Sequence, residues 1–248
     1  MLDAIKRMFS GSPPGPDWGG VSSWAQKQGY GFKRARDDEG FVVDGAFGVR
    51  PWRLEWGPPQ RAYIPTQELR IRMELQLPSD LQMLVMSRPL MEKLERETFE
   101  RYTESNQTQI DVTTPEEMRW LAMYPKVPLE LGKNAKAHFG GVAINPKTAA
   151  AWVDAAVAEQ LGLAVKTLLR EDPPFVLMTL RGRVYLRMQM DEPEPNAVAQ
   201  AVALFQAGAQ AALRVGGGLH ETNAGWVSTA SSAWQNQILP DESGEPEK

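Results

Sequence analysis

The stretch Leu69-Arg-Ile-Arg-Met-Glu-Leu-Gln-Leu77 decides the fold of this chain. Apolar and polar residues alternate over its whole length, so an extended backbone turns the apolar side chains to one face and the polar side chains to the other. We therefore predict an antiparallel strand that packs on a core with one face and meets water with the other. Pro78 follows directly and ends the strand.

Two further segments predict β-hairpins. Residues 175–190, FVLMTLRGRVYLRMQM, predict two strands that turn at Arg181-Gly182, and the second of these strands alternates in the same way as 69–77. Residues 41–56 predict two strands around a tight turn that Gly45-x-x-Gly48 supplies. Strands grouped in hairpins predict an antiparallel sheet rather than the parallel sheet of a Rossmann-type fold.

The remaining apolar periodicity is helical. We predict helices near residues 18–28 with Asp17 as the N-cap, at 89–102, directly after Thr114, at 145–170 and at 195–214. Thr114-Pro-Glu-Glu117 has the spacing of a capping box formed by Thr114 and Glu117. Residues 129–145 are expected to be irregular. The predicted fold class is α+β, an antiparallel sheet built from hairpins and flanked by helices, with a division into two helix–hairpin–helix halves as one arrangement.

The chain divides into three parts. Residues 1–16 are a short amphipathic segment followed by a Pro/Gly linker, and residues 17–215 form the predicted α+β core domain. Residues 216–248 comprise a Gly216-Gly-Gly218 hinge, a Trp-containing segment and an acidic tail that is expected to be disordered. Residues 1–9 place apolar side chains at helical spacing, which suits either a helix docked on a core or a weak contact with a membrane surface.

Composition excludes several kinds of chemistry. The 248 residues are 42% hydrophobic and 23% charged, as in ordinary globular proteins. The absence of Cys excludes disulfides, iron–sulfur clusters, thiol nucleophiles and Cys-based zinc sites. His138 and His220 are the only two histidines, and no G-x-S-x-G or phosphate-binding loop occurs. We therefore assign no catalytic residue, no metal and no cofactor.

Charge and hydropathy bear on partners and location. The net charge of −4 arises mostly from the acidic tail after Pro240, so the body of the chain is close to neutral and nucleic acid is not an expected partner. No stretch approaches the ~20 apolar residues that span a bilayer, and no signal peptide is evident. A cytoplasmic location is expected.

One theme of the sequence resembles that of a group of bacterial proteins. W-A-Q-K-Q-G-Y-G-F-K-R at 24–34, followed by G-F-V-V-D-G-A-F-G-V-R-P-W-R-L-E-W at 40–56, is similar to a short helix ending in G-[WY]-x-[FY] before a strand with a Gly-rich hairpin. In those proteins a later F-x-x-Y-T…T-P-E-E segment often follows, here from Phe99 to Glu117. The resemblance covers about a third of the chain and implies a bacterial α+β protein. It carries no activity and no functional residue.

Arginine on the sheet is the main candidate for a site. If the strands at 69–77 and 183–190 share a sheet, their polar faces gather five side chains, which Trp52 or Trp56 could join: Arg70, Arg72, Arg183, Tyr185 and Arg187. Such a face suits an anionic small molecule, a phosphate group or an acidic protein partner. In the alternative interpretation these arginines pair with Glu74, Glu55 or helix carboxylates on an ordinary solvated face.

A second candidate lies beyond the predicted hinge. Trp226, Trp234 and Ile238 are spaced like one face of a short helix, which docks either on the body of the chain or on a protein partner. The leading hypothesis is a non-catalytic, soluble binding or assembly module that uses the arginine-rich face, this Trp segment, or both, with self-association as one form of partnership. One alternative is an enzyme with a carboxylate- or Arg-based site for an anionic small molecule, marked by a carboxylate of raised pKa. Another is a peripheral membrane protein held by residues 1–9.

Overall fold

All nine strands described in the chain pair antiparallel in a single sheet, which confirms the predicted α+β class. The computed structural model describes residues 17–35, 39–104 and 114–224. In chain order the elements are α1 (Gly19–Lys27), β1 (Gly31–Arg34), β2 (Phe41–Phe47), β3 (Arg50–Gly57), β4 (Glu68–Glu74), β5 (Met83–Ser87), α2 (Arg88–Glu104), α3 (Glu116–Met123), β6 (Lys126–Val127), α4 (Lys133–His138), β7 (Phe139–Ala143), α5 (Pro146–Trp152), α6 (Ala155–Lys166), β8 (Phe175–Leu180), β9 (Arg183–Gln189) and α7 (Pro195–Ala224). The strand order across the sheet is β1-β2-β3-β4-β9-β8-β5-β7-β6.

The predicted hairpin of residues 175–190 is confirmed and lies in the middle of the sheet. Its strands β8 and β9 turn at Arg181 and Gly182, whose φ angles of 50° and 78° belong to the left-handed region that two-residue hairpin turns use. β9 pairs with β4 on one side, and β8 pairs with β5 on the other. The N-terminal strands and the C-terminal hairpin therefore belong to one continuous sheet.

The main core lies on one face of this sheet. Leu69, Ile71 and Met73 of β4 are fully buried there, as their alternation predicted. Side chains from α1, α5, α6 and α7 belong to the same apolar cluster. The long helix α7 is also held by a polar contact, because the Nε1 atom of Trp152 donates to the carbonyl of Gly208 at 2.8 Å.

Among the described residues, helices cover only half of the opposite face. An apolar cluster joins α2 and α3 to β5, β7 and β8, with Leu84, Met86 and Val176 of the strands against Leu90, Leu94 and Trp120 of the helices. On the same face, β3, β4 and β9 carry charged side chains, several of them exposed. This uncovered half is the part of the fold that positions the candidate site.

The prediction that residues 129–145 are irregular is wrong, because this segment contains α4 and β7. The glycines of this segment resemble loop residues in the sequence. A Cβ atom at Gly140 would lie 2.6 Å from the Sδ atom of Met91, and one at Gly141 would lie 3.2 Å from the carbonyl oxygen of Leu84. These glycines allow close packing inside a buried strand rather than a loop.

Two helix predictions also need correction. The single helix predicted for 145–170 is two helices, α5 and α6, because the chain breaks after Trp152 and Asp154 starts a new helix by accepting a hydrogen bond from the Val157 amide at 2.9 Å. The prediction of a hinge at Gly216-Gly-Gly218 is also wrong, since α7 continues through these residues to Ala224. A Cβ atom at Gly216 would lie 3.0 Å from Leu77, so at this position glycine admits close packing.

None of the helices within the described ranges is long and apolar enough to cross a membrane.

Gly45 tests the packing of the sheet on its core. A Cβ atom added there would lie 2.2 Å from the Cζ2 atom of Trp52, so Gly45→Ala must displace a buried ring. We expect this variant to lower the free energy of unfolding by about 2 kcal/mol, measured by urea denaturation. The control is Gly162→Ala in α6, where nothing lies within 4 Å and alanine favours the helix, so a gain of about 0.5–1 kcal/mol is expected. Equal effects of the two substitutions would contradict this packing.

Candidate functional site

The structure brings together all five side chains of the predicted sheet site. In the antiparallel register of β4 and β9, Arg70 lies opposite Arg187, Arg72 lies opposite Tyr185, and Arg183 lies opposite Glu74. The strand pairing on which the prediction depended is therefore confirmed. We call this surface the arginine face and define it as Arg53, Glu55, Glu68, Arg70, Arg72, Glu74, Arg183, Tyr185 and Arg187. Its role in binding remains a prediction.

The two tryptophans suggested for this face lie on the other side of the sheet. Trp52 and Trp56 are buried in the main core, and the Nε1 atom of Trp56 donates to the carbonyl of Met190 at 2.7 Å. Because side chains alternate along β3, the residues that do reach the arginine face are Arg53 and Glu55. Arg53 was missed in the sequence, although its position between the two tryptophans was a usable signal.

The inner part of the face is a closed network of ion pairs, which we call the inner cluster: Glu55, Glu68, Arg70 and Arg187. Glu68 has 0% side-chain exposure and accepts hydrogen bonds from Arg187 and, at 2.6 Å, from the Gln60 amide. Arg70 donates to Glu55 at 2.7 Å and lies 3.6 Å from Glu68. Arg70 and Arg187 therefore follow the alternative interpretation, in which the arginines pair with neighbouring carboxylates.

The outer part of the face is more open. Arg53, Arg72 and Arg183 line a shallow pocket of about 460 Å³ together with Asp44 and Glu74, and we call it the outer pocket. Arg53 binds Asp44 at 2.8 Å and Arg183 binds Glu74, both at exposed positions. The side chain of Arg72 is 58% exposed, and its ion pair with Glu55 is long, at 3.8 Å.

Carboxylates bind two of the outer arginines, Arg53 and Arg183. The hydrogen bond that Arg53 donates to Asp44 raises the pKa of Arg53, and the hydrogen bond that Arg183 donates to Glu74, followed by the contact with Tyr185, raises the pKa of Arg183. Both guanidinium groups therefore stay cationic and can donate hydrogen bonds in a planar fork, which matches the oxygen pair of a carboxylate.

A third cluster was not predicted as a site. Glu117 does not form the predicted capping box, since α3 begins after Pro115 with no side-chain cap. Its side chain is instead 1% exposed, and one oxygen accepts hydrogen bonds from both the Nε atom of Arg61 and the hydroxyl of Tyr63, each at 2.6 Å. The other oxygen has no hydrogen-bond partner among the described residues. This cluster attaches the connection between β3 and β4 to α3.

The charge state of Glu117 bears on the enzyme alternative. Burial raises the pKa of this carboxyl. The charge of Arg61 and the hydrogen bonds from Tyr63 and Arg61 lower the pKa by more than burial raises it, so the net pKa lies below its ordinary value. Burial, followed by the charge of Glu117, raises the pKa of Tyr63 well above its usual range. A carboxylate with a raised pKa was the mark of the enzyme alternative, and Glu117 departs in the opposite direction.

Trp226, Trp234 and Ile238, like residues 1–9, lie outside the described residues. Among the residues that the structure describes, no three His, Asp or Glu side chains are grouped so that they could hold a metal ion.

Comparison with known proteins gives no family for this chain: no family model, no curated protein and no solved structure matches it. The function must therefore be argued from the site.

Glu117 makes a prediction about acid stability. Glu117→Gln leaves the partly buried Arg61 without its counter-ion, so we expect the free energy of unfolding to fall by about 3 kcal/mol near neutral pH. Because the folded-state pKa of Glu117 lies below its unfolded value, its contribution is complete above the unfolded pKa and is lost as the pH falls through the folded pKa. The difference between wild type and variant should therefore narrow in acid, as measured by urea denaturation across a pH series.

The neighbouring Glu116 supplies the control. It pairs with Arg119 and Arg181 near the surface, so Glu116→Gln should change stability by about 1 kcal/mol or less. A Glu117→Gln deficit that stays constant from neutral to acid pH would refute the assignment of an ionised, stabilising carboxylate.

Proposed function

We propose that this protein is a non-catalytic binding module that holds a negatively charged group of its partner in the outer pocket of the arginine face. The observation that carries this proposal is the placement of Arg53 directly opposite Arg72 on adjacent strands. Like charges at directly opposed positions of a sheet repel each other, so such a pair needs a counter-charge.

The same sheet offers an internal comparison. Arg70 and Arg187 also lie directly opposite each other, and there the buried carboxylate of Glu68 contacts both guanidinium groups. Arg53 and Arg72 share no carboxylate at hydrogen-bond distance among the described residues. Arg53 binds Asp44, and Glu55, whose charge also acts on Arg53, lies 3.8 Å from Arg72. An anionic group from a partner would contact both Arg53 and Arg72, just as Glu68 contacts both Arg70 and Arg187.

The energetic cost of binding there is small. The ion pairs of Arg53 and Arg183 are between exposed side chains, and pairs of that kind contribute little to stability because water screens them. These guanidinium groups can therefore reorient toward a ligand with little loss. Tyr185, which lies opposite Arg72 and is half-buried, adds an aromatic surface beside the charge.

Other parts of the hypothesis remain expectations. A bacterial, cytoplasmic setting belongs to this proposal, and so does a second docking element at Trp226, Trp234 and Ile238. The enzyme alternative is not favoured by any described group, and Glu117, the most buried carboxylate beside Glu68, is engaged by Arg61 and Tyr63.

Substitution of Arg72 tests the outer pocket. We expect a capped peptide containing one Glu, added to the full chain, to shift the side-chain Nε–Hε NMR signals of Arg53, Arg72 and Arg183, because these groups would donate to its carboxylate. Arg72→Gln should lower the association constant roughly threefold to tenfold, as expected for an exposed charge-assisted contact. Arg170→Gln is the control, since Arg170 is exposed but lies outside the arginine face. The proposal fails if the peptide and inorganic phosphate both leave the Arg72 signal unmoved.

A further inference from the structure

The charge balance of the arginine face differs between its two parts. In the inner cluster, the two guanidinium groups of Arg70 and Arg187 face the two carboxylates of Glu55 and Glu68. This cluster is internally neutral and is largely withdrawn from water, with Glu68 fully buried. It leaves no charge for a partner to satisfy.

Unlike the inner cluster, the outer pocket has one carboxylate fewer than it has guanidinium groups. It is lined by three guanidinium groups, those of Arg53, Arg72 and Arg183, and by two carboxylates, those of Asp44 and Glu74. Asp44 binds Arg53 and Glu74 binds Arg183, whereas the only ion pair described for Arg72 is its 3.8 Å contact with Glu55 of the inner cluster. Among the described residues, Arg72 is therefore the guanidinium group of this pocket that has no close carboxylate. A single added negative charge would make the outer pocket neutral, as the inner cluster already is.

We infer that the outer pocket selects a single carboxylate carried by a polypeptide partner and discriminates against polyanions such as polyphosphates. This inference rests on the proposed function and names the ligand class of the same site. The selecting groups are Asp44 and Glu74, because a second negative charge close to the first would face one of these two carboxylates.

The strand register explains why the two acids act in this way. Asp44, Arg53, Arg72 and Tyr185 form one row across β2, β3, β4 and β9, with an acid at one end and the aromatic ring at the other. Glu74 lies two residues beyond Arg72 on the same face of β4. An anion seated on Arg72 therefore has Glu74 two residues away on the same strand and Asp44 two strands away in the same row.

The shape of the pocket favours a polypeptide over a free small acid. Sites for small molecules usually bury most of the ligand surface, whereas this pocket is a shallow depression on an uncovered sheet. A free carboxylic acid would lose its translational freedom for a few exposed contacts. A Glu or Asp side chain on a partner is held by the rest of the interface, and cationic or N–H groups beside it can bind Asp44 and Glu74.

An apolar contact lies close to this site. Val49, at the tip of the hairpin of β2 and β3, is 92% exposed, and it precedes Pro51 of the pocket lining by two residues. A partner segment that combines one acidic residue with basic and apolar neighbours would therefore find a complementary group for each. A polyphosphate would find complementary groups only in the cations, which are the three arginines of the pocket and the exposed Lys33 beside Asp44.

The experiment compares two probes on the full chain at equal ionic strength: a capped peptide with one Glu between two Lys, and inorganic tripolyphosphate. Binding is followed by the Nε–Hε NMR signals of Arg53, Arg72 and Arg183. We expect wild type to bind the peptide more tightly than tripolyphosphate. Glu74→Gln removes one repelling carboxylate and frees Arg183, so it should shift the ratio of the two association constants toward tripolyphosphate by about fivefold to tenfold.

Two further variants make the result decisive. Asp44→Asn should shift the ratio in the same direction through the other acid, and Glu130→Gln, at an exposed position outside the arginine face, should leave it unchanged. Wild type that binds tripolyphosphate at least as tightly as the peptide, with both lost in Arg72→Gln, would overturn the selectivity and leave the proposed function standing. Arginine signals that respond to neither probe would overturn both.

Discussion

The antiparallel pairing of β4 with β9 is the constraint on which the rest of this structure depends. It joins strands that lie more than a hundred residues apart, Glu74 opposite Arg183 and Glu68 opposite Gln189, and so makes one sheet of the N-terminal strands and the C-terminal hairpin. Burial of one face of each strand fixes the register of this pair. A slip of one residue would turn Arg70 and Arg72 into the main core and Leu69 and Ile71 into water. The same register that builds the core therefore also places the arginines opposite one another.

Periodicity predicted β4 and β9, which each have one wet face, and missed β5 and β7, which have none. β4 and β9 alternate because one side of each is in the core and the other carries charge. β5 and β7, with the sequences MLVMS and FGGVA, are buried at every position, since helices cover both of their faces. A strand buried on both sides has no alternation to detect. Gly140 and Gly141, which permit close packing within β7, then resembled loop residues.

The sequence predicted most cations of the candidate site and two of their partners, Glu55 and Glu74, but not the partners Asp44 and Glu68. Arg70, Arg72, Arg183, Tyr185 and Arg187 follow from alternation in two strands, but which carboxylate meets which guanidinium depends on strand order, and strand order is a long-range property. Glu68 stood just before the predicted strand, and Glu117 matched a local capping pattern. A local pattern gave way in the case of Glu117 because burial beside Arg61 and Tyr63 satisfied the carboxylate from distant parts of the chain.

The neutral inner cluster also helps to position the exposed arginines beside it. Arg70 also donates to the carbonyl of Pro58, and Glu68 accepts from the Gln60 amide, so the inner cluster holds the start of the connection between β3 and β4. The Glu117 cluster holds the next part of that connection on α3. β3 and β4 are thereby fixed to each other beside the outer pocket, and Arg53 and Arg72 stand on rigid strands rather than on a loop. Side chains held on rigid strands need less ordering when a ligand binds. In the proposed function, the buried pairs prepare the site, and the group that a ligand would bind is Arg72, whose only described ion pair is its 3.8 Å contact with Glu55.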